Sequence, residues 1–125
     1  PKKFAKNLYM SESDIIELDN KGFLGTHSAS HQALATLSDQ EANDDIKRSL
    51  DYFKKVGLKI PKSISYPYGG SSAFNNSTIN IVKDFSFTFG LTMIRGVNNL
   101  NQVLEHPLQV KRVSCSDIVN GDYKN

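Results

Sequence analysis

One cysteine, Cys115, is all that this chain carries in 125 residues. A single thiol cannot close an intramolecular disulfide, so no oxidised framework holds the fold. That leans the chain toward a reducing, cytoplasmic setting and leaves a periplasmic or secreted location open. Charge of one sign is also scarce. The 15 Lys and Arg against 13 Asp and Glu leave a formal charge of +2, too little to argue for a nucleic-acid partner. The basic residues are spread along the chain and do not interleave with aromatics, so base stacking has no platform. No apolar run approaches the ~20 residues needed to cross a bilayer, and no signal-peptide pattern is present. The chain begins at Pro1 rather than Met, which reads as a processed, cloned or partial product.

What is present is the composition of an ordinary folded domain. Hydrophobic residues make up 38% and charged residues 22%, which supports a core within a solvated surface. The length suits one such core and not two. The expectation is a single domain over residues 1–125, with ends fraying at about 1–8 and 118–125.

Histidine is rare as well, and its placement is informative. Two of the three histidines fall in Gly25-Thr26-His27-Ser28-Ala29-Ser30-His31. Neutral imidazole is the commonest side-chain ligand for zinc and its neighbours. A spacing of four residues on a helical turn would put both rings on one face, where they can share an ion. Catalytic zinc takes three protein ligands and keeps a position open, so a third ligand must come from elsewhere. A pair of surface or capping histidines remains the alternative that spacing alone leaves open.

The rest of the chain alternates helix and strand signals. Ser11 or Ser13 caps a helix whose first turns carry Asp14 and Glu17, with Ile15, Ile16 and Leu18 facing inward and Lys21-Gly22 ending it. Residues 23–26 read as a short buried strand that delivers His27 to its C-terminal end. Ser38 and Glu41 form a capping-box pattern before the stripe Ala42, Ile46, Leu50, Phe53 and Val56, closed by Gly57. Asp44 and Asp45 lie on that helix near Lys47 and Arg48 and read as a solvated acidic face. A second buried strand covers residues 63–66. Pro67-Tyr68-Gly69-Gly70-Ser71-Ser72 then forms a loop. A shorter helix follows over residues 76–83, with Ile79 and Val82 inward. Phe85, Phe87, Phe89 and Leu91 alternate as in a strand. Residues 95–107 read as a loop with a helical turn, and residues 110–115 as a last strand. This order predicts an α/β unit with mainly parallel strands and flanking helices. Chemistry in such folds collects at the C-terminal ends of strands, where both His27 and the residue 66–70 loop fall.

Two ordered motifs carry a family resemblance. His27, Ser28 and His31 match His-Ser/Thr-x-x-His, and Pro67, Tyr68 and Gly69 match Pro-Tyr/Trp-Gly. In that order, with the intervening helix opening at Leu37-Ser38, the chain resembles the polysaccharide deacetylases, the NodB-like domain of carbohydrate esterase family 4. The resemblance runs from about residue 8 to about residue 113. It implies a partial version of the family's distorted (β/α) barrel. It also implies a metal-dependent hydrolase that removes N-acetyl groups from acetamido sugars or polysaccharide. By the same resemblance His27 and His31 hold a divalent metal, zinc first, with cobalt and nickel as alternatives. The Tyr68 backbone N–H stabilises the oxyanion, and Tyr66, Pro67 and Gly69 contact an N-acetylated carbohydrate.

The sequence also departs from the pattern. The family's Thr-Phe-Asp-Asp motif should stand upstream of Ser11, and no such sequence is there. With it go a metal-binding Asp and the general base. Asp44-Asp45 lies downstream of the histidines and cannot replace them by order. The Arg common before Pro-Tyr-Gly is replaced at Ser65. No late Leu-x-His motif is evident, and His106, before Pro107, reads as a surface residue rather than the general acid. Such a chain cannot close the barrel, so its open edges call for an N-terminal half or a second copy. Two readings follow: part of an N-deacetylase, or a catalytically inactive deacetylase-like module kept for binding.

Overall fold

The computed structural model describes residues 8–115, 118–119 and 122–123. Its centre is a three-stranded parallel sheet, β1 (Ser63–Ser65), β2 (Phe89–Arg95) and β3 (Val110–Arg112), in that spatial order. Helix α1 (Glu12–Asn20) precedes the sheet, with α2 (Asp39–Val56) and α3 (Asn76–Asp84) flanking it. A short α4 (Leu100–Glu105) and the 3₁₀ turn Pro107–Gln109 lead into β3. β4 (Ile118–Val119) and β5 (Asp122–Tyr123) pair antiparallel, so part of the tail expected to fray is paired backbone. Residues 1–7, expected to fray at the other end, lie outside the described residues. Among the described residues the sheet is open, an α/β architecture without barrel closure.

Local sequence explains each helix. Ser11 caps α1 reciprocally with Asp14, and Ser38 caps α2 reciprocally with Glu41. Asn75 caps α3 through its side chain, and Asn99 with Gln102 boxes α4. α2 is the main packing element. Ala42, Ile46, Leu50 and Phe53 are buried along it, and Gly57 closes it in the left-handed conformation at φ 77°. Ile46 and Leu50 meet Ile64 of β1, Tyr66, Phe74, Val82 of α3 and Phe87 in one core. Each fully buried aliphatic side chain there stabilises by about 1.5–3 kcal/mol.

Several expectations need correction. The helix α1 exposes Ile16 rather than burying it. Residues 23–26 do not form a strand, since only Thr26 pairs, as an isolated parallel bridge to Ile64, while Phe23 is exposed. The aromatic alternation that begins at Phe85 is not a strand from its start. Phe85 caps α3, Ser86 turns at φ 59°, and β2 begins only at Phe89. Phe85 and Phe87 pack on the core from the connection, and Phe89 is exposed. Along β2 it is Gly90 and Thr92 that are buried. Gly90 is required there, because a Cβ would collide with the Leu108 carbonyl. The last strand stops at Arg112 rather than continuing to Cys115, which is exposed.

Candidate metal and oxyanion site

Thr26 spends both backbone groups on β1. Its N–H donates to Ser63 O at 3.0 Å, and its carbonyl accepts from Ser65 N at 2.8 Å. The next rung of a parallel ladder would run from Ser28 N to Ser65 O. Ser28 instead turns into the left-handed region at φ 64°, and the His27 ring takes that acceptor, Nδ1 to Ser65 O at 2.6 Å. A carbonyl oxygen only accepts, so Nδ1 carries the proton and a neutral His27 presents its lone pair at Nε2. Metal-binding histidines are oriented by this kind of bond.

His31 reaches the same place by a turn of the loop, itself left-handed at φ 57°. The two rings lie 4.9 Å apart, inclined at 65°. The pair is therefore brought together by a loop and not by one face of a helical turn, which corrects the helical reading of their spacing. Two non-glycine residues held at positive φ cost on the order of 1–2 kcal/mol each, so other contacts must fix this loop.

Those contacts come from α2. Asp45, only 1% exposed, accepts from Ala29 N at 3.2 Å and Ser30 N at 3.4 Å through one carboxylate oxygen. Its other oxygen accepts from Arg48 Nη2 at 2.6 Å. Burial pushes the Asp45 pKa up, but the hydrogen bonds from Ser30 and Arg48 outweigh it and hold the carboxyl below its usual value. One turn further along α2, Ser49 Oγ shares a buried 2.8 Å hydrogen bond with Thr26 Oγ1. Asp44 is exposed as expected, and Asp45 is not, so half of the supposed acidic face is a structural tie. The sequence held a signal for this. Asp45 and Ser49 fall at the third and seventh positions after Ala42, inside the helix's buried stripe.

The second loop stands beside the first. Tyr66 N donates to Leu91 O at 3.1 Å, and Met93 N donates to Gly69 O at 2.7 Å, so both ends of the loop are tied to β2. Tyr68 (φ 60°) and Gly69 (φ 55°) are consecutive left-handed residues. At Gly69 a Cβ would stand 2.7 Å from Met93 N, so only glycine fits. The Tyr68 ring is 66% exposed and lies 5.1 Å from the His31 ring. Among the described residues no hydrogen bond uses the Tyr68 N–H.

Tyr66, Pro67 and Gly69 do not suit the substrate contacts expected of them, because all three are buried. Tyr66 is fully enclosed, its hydroxyl donates to Leu108 O at 3.0 Å, and its ring stacks on Phe74 at 4.9 Å. Burial pushes its phenol up to about 12. It is a pillar that carries the loop. His106 is exposed at the end of α4, as a surface histidine would be.

Two adjacent imidazoles, one with Nδ1 committed to Ser65 O and Nε2 left as the other donor atom, are a donor set of the kind a divalent ion accepts. Among the described residues, no group of three or more His, Cys, Asp or Glu side chains stands ready to hold an ion. The same residues contain no helix long and apolar enough to cross a membrane.

The parallel α/β sheet thus carries a paired-histidine loop beside a Pro-Tyr-Gly loop, the arrangement that a polysaccharide deacetylase domain is expected to have. The polysaccharide deacetylase family model matches residues 5–90, and the chain belongs to that family. Chitin deacetylase 1 of Saccharomyces cerevisiae is 36% identical over 77 residues, covering 60% of this chain and 25% of that protein. Streptococcus pyogenes deacetylase PplD, solved in complex with acetate, shares the fold. It superposes with a TM-score of 0.70 at 22% identity over 83% of this chain and 44% of its own. The chain thus spans a quarter of the one relative's length and less than half of the other's.

Proposed function

We propose that this chain carries two ligands and the oxyanion loop of a metal-dependent N-deacetylase acting on acetamido sugars or polysaccharide. The observation that carries the reading is the His27 ring, its Nδ1 committed to Ser65 O and its plane set beside His31. His27 through Nε2, together with His31, would hold a divalent ion, with zinc proposed first and cobalt and nickel as alternatives. When bound, such an ion supplies polarisation of the acetyl carbonyl and a more acidic water.

The chain's own residues do the rest of what is proposed. The Tyr68 N–H donates to the carbonyl oxygen as negative charge grows on it, a contribution of about 2.7–4 kcal/mol for one such donor. Its direction is preset, because bonds from Tyr66 N and Met93 N anchor the loop to β2. The exposed Tyr68 ring walls the site beside His31, where an N-acetylated sugar would approach.

One observation favours a second reading, a catalytically inactive module that keeps the deacetylase fold for binding. No third ligand joins His27 and His31 among the described residues. Acetate release from an N-acetylated chitooligosaccharide, with Zn²⁺ or Co²⁺ added, separates the two. Release that ends in His27→Ala and in His31→Ala supports the deacetylase. Metal bound through both histidines without release supports the inactive module. Release indifferent to both substitutions contradicts the proposed site.

A further inference from the structure

We infer that Asp45 is a positioning residue for the histidine pair. It holds the loop between His27 and His31 through the Ala29 and Ser30 N–H groups, an inference that rests on the metal-site reading above. The loop has no regular secondary structure between its histidines, and two of its residues, Ser28 and His31, sit at positive φ. Its middle is held by one group, the Asp45 carboxylate, which accepts from the consecutive N–H groups of Ala29 and Ser30. Two N–H groups in sequence aimed at one oxygen fix the direction of the chain between the ligands.

The anchor is rigid for identifiable reasons. α2 is boxed at Ser38 and Glu41, closed at Gly57 and packed on the core through Ile46 and Leu50. Asp45 and Ser49 lie four residues apart on one face of it. Ser49 holds Thr26, just before the first histidine, while Asp45 holds the segment just before the second. Arg48 neutralises the Asp45 oxygen that the loop does not use. One helix face thus holds both arms of the pair, whose rings stand 4.9 Å apart.

The role is that of an outer-shell group, whose loss typically weakens metal binding by about 10–100-fold. The test is calorimetric titration of Zn²⁺ into the wild-type chain, Asp45→Ala and Asp45→Asn, with the urea midpoint of each metal-free protein measured alongside. Asp45→Asn keeps the shape and one acceptor oxygen, so it should bind more tightly than Asp45→Ala and less tightly than wild type. A structural role alone would lower the urea midpoint and leave the Kd of the folded protein unmoved. Wild-type binding matched within about twofold by both folded variants overturns the positioning role and leaves the metal reading standing. A wild-type chain that takes up no zinc overturns the metal reading itself, and this inference with it. Should neither variant fold, amide exchange in the wild-type protein decides. Protected Ala29 and Ser30 N–H groups support the carboxylate clamp, and freely exchanging ones overturn it.

Discussion

Replacing Tyr66 by Phe separates a pillar from a ligand contact. The substitution keeps the ring and its stack on Phe74 but deletes the hydroxyl that donates to Leu108 O at 3.0 Å. That carbonyl belongs to the turn feeding β3, and the hydroxyl's surroundings are fully buried, so no water replaces the lost donor. An acceptor left unsatisfied in the interior costs about 1–3 kcal/mol. For a chain of this size that corresponds to a fall in Tm of roughly 3–15 °C, taking about 3–5 °C per kcal/mol. Urea unfolding followed by circular dichroism reads the loss, with metal absent so that binding does not mask it. Zn²⁺ affinity should stay within about twofold of wild type, because the hydroxyl points at Leu108 and not at the histidines. Unchanged stability combined with weakened sugar binding would return Tyr66 to the ligand surface.

Further outcomes are equally specific. Gly69→Ala should destabilise by about 2–4 kcal/mol by thermal unfolding and misplace Tyr68, because strain at φ 55° adds to a collision with Met93 N. Gly57→Ala is its control: φ is 77°, but nothing lies within 4 Å of the added carbon, so only about 1 kcal/mol should be lost. Ser38→Ala removes the α2 cap and should cost about 1 kcal/mol in urea unfolding. Asp45 gives a pH signature. Its folded pKa lies below the ordinary carboxylate value, so its contribution is present in full above about pH 4 and is lost as pH falls through the folded pKa. The stability margin of wild type over Asp45→Asn should therefore shrink in urea titrations as pH falls below about 4.

The parts of the fold that sequence made legible are those set by local chemistry. The Ser38–Glu41 box, the stripe from Ala42 to Phe53 and the closing Gly57 place α2 without reference to the rest of the chain. The inward Ile79 and Val82 do the same for α3. The parallel strands were harder, because their pairing is non-local. Phe85 and Phe87 alternate with polar residues as strand residues do, yet they pack from the α3–β2 connection, and β2 starts where Gly90 allows Leu108 to approach. Phe23 reads as buried by composition, but of residues 23–26 only Thr26 pairs, and Phe23 is exposed.

The site divides in the same way. The motifs singled out His27, His31 and Tyr68, and their rings lie side by side, although His27 follows an isolated bridge at Thr26 and not a strand. Burial separated Tyr66, Pro67 and Gly69 from the surface, since a loop residue's side depends on φ and on its neighbours across the sheet. Asp45 escaped notice because a carboxylate beside lysine and arginine resembles solvated charge until its loop partner is seen.

In the proposed site His27 and His31 share a divalent ion, with His27 oriented through Ser65. Long-range ¹H–¹⁵N correlation of the histidine rings during a Zn²⁺ titration tests it most directly. His27 Nε2 and one His31 nitrogen should shift together at one equivalent, while His27 Nδ1 keeps its proton. Ring nitrogens that do not respond to zinc, or a His27 that ligates through Nδ1, would contradict it.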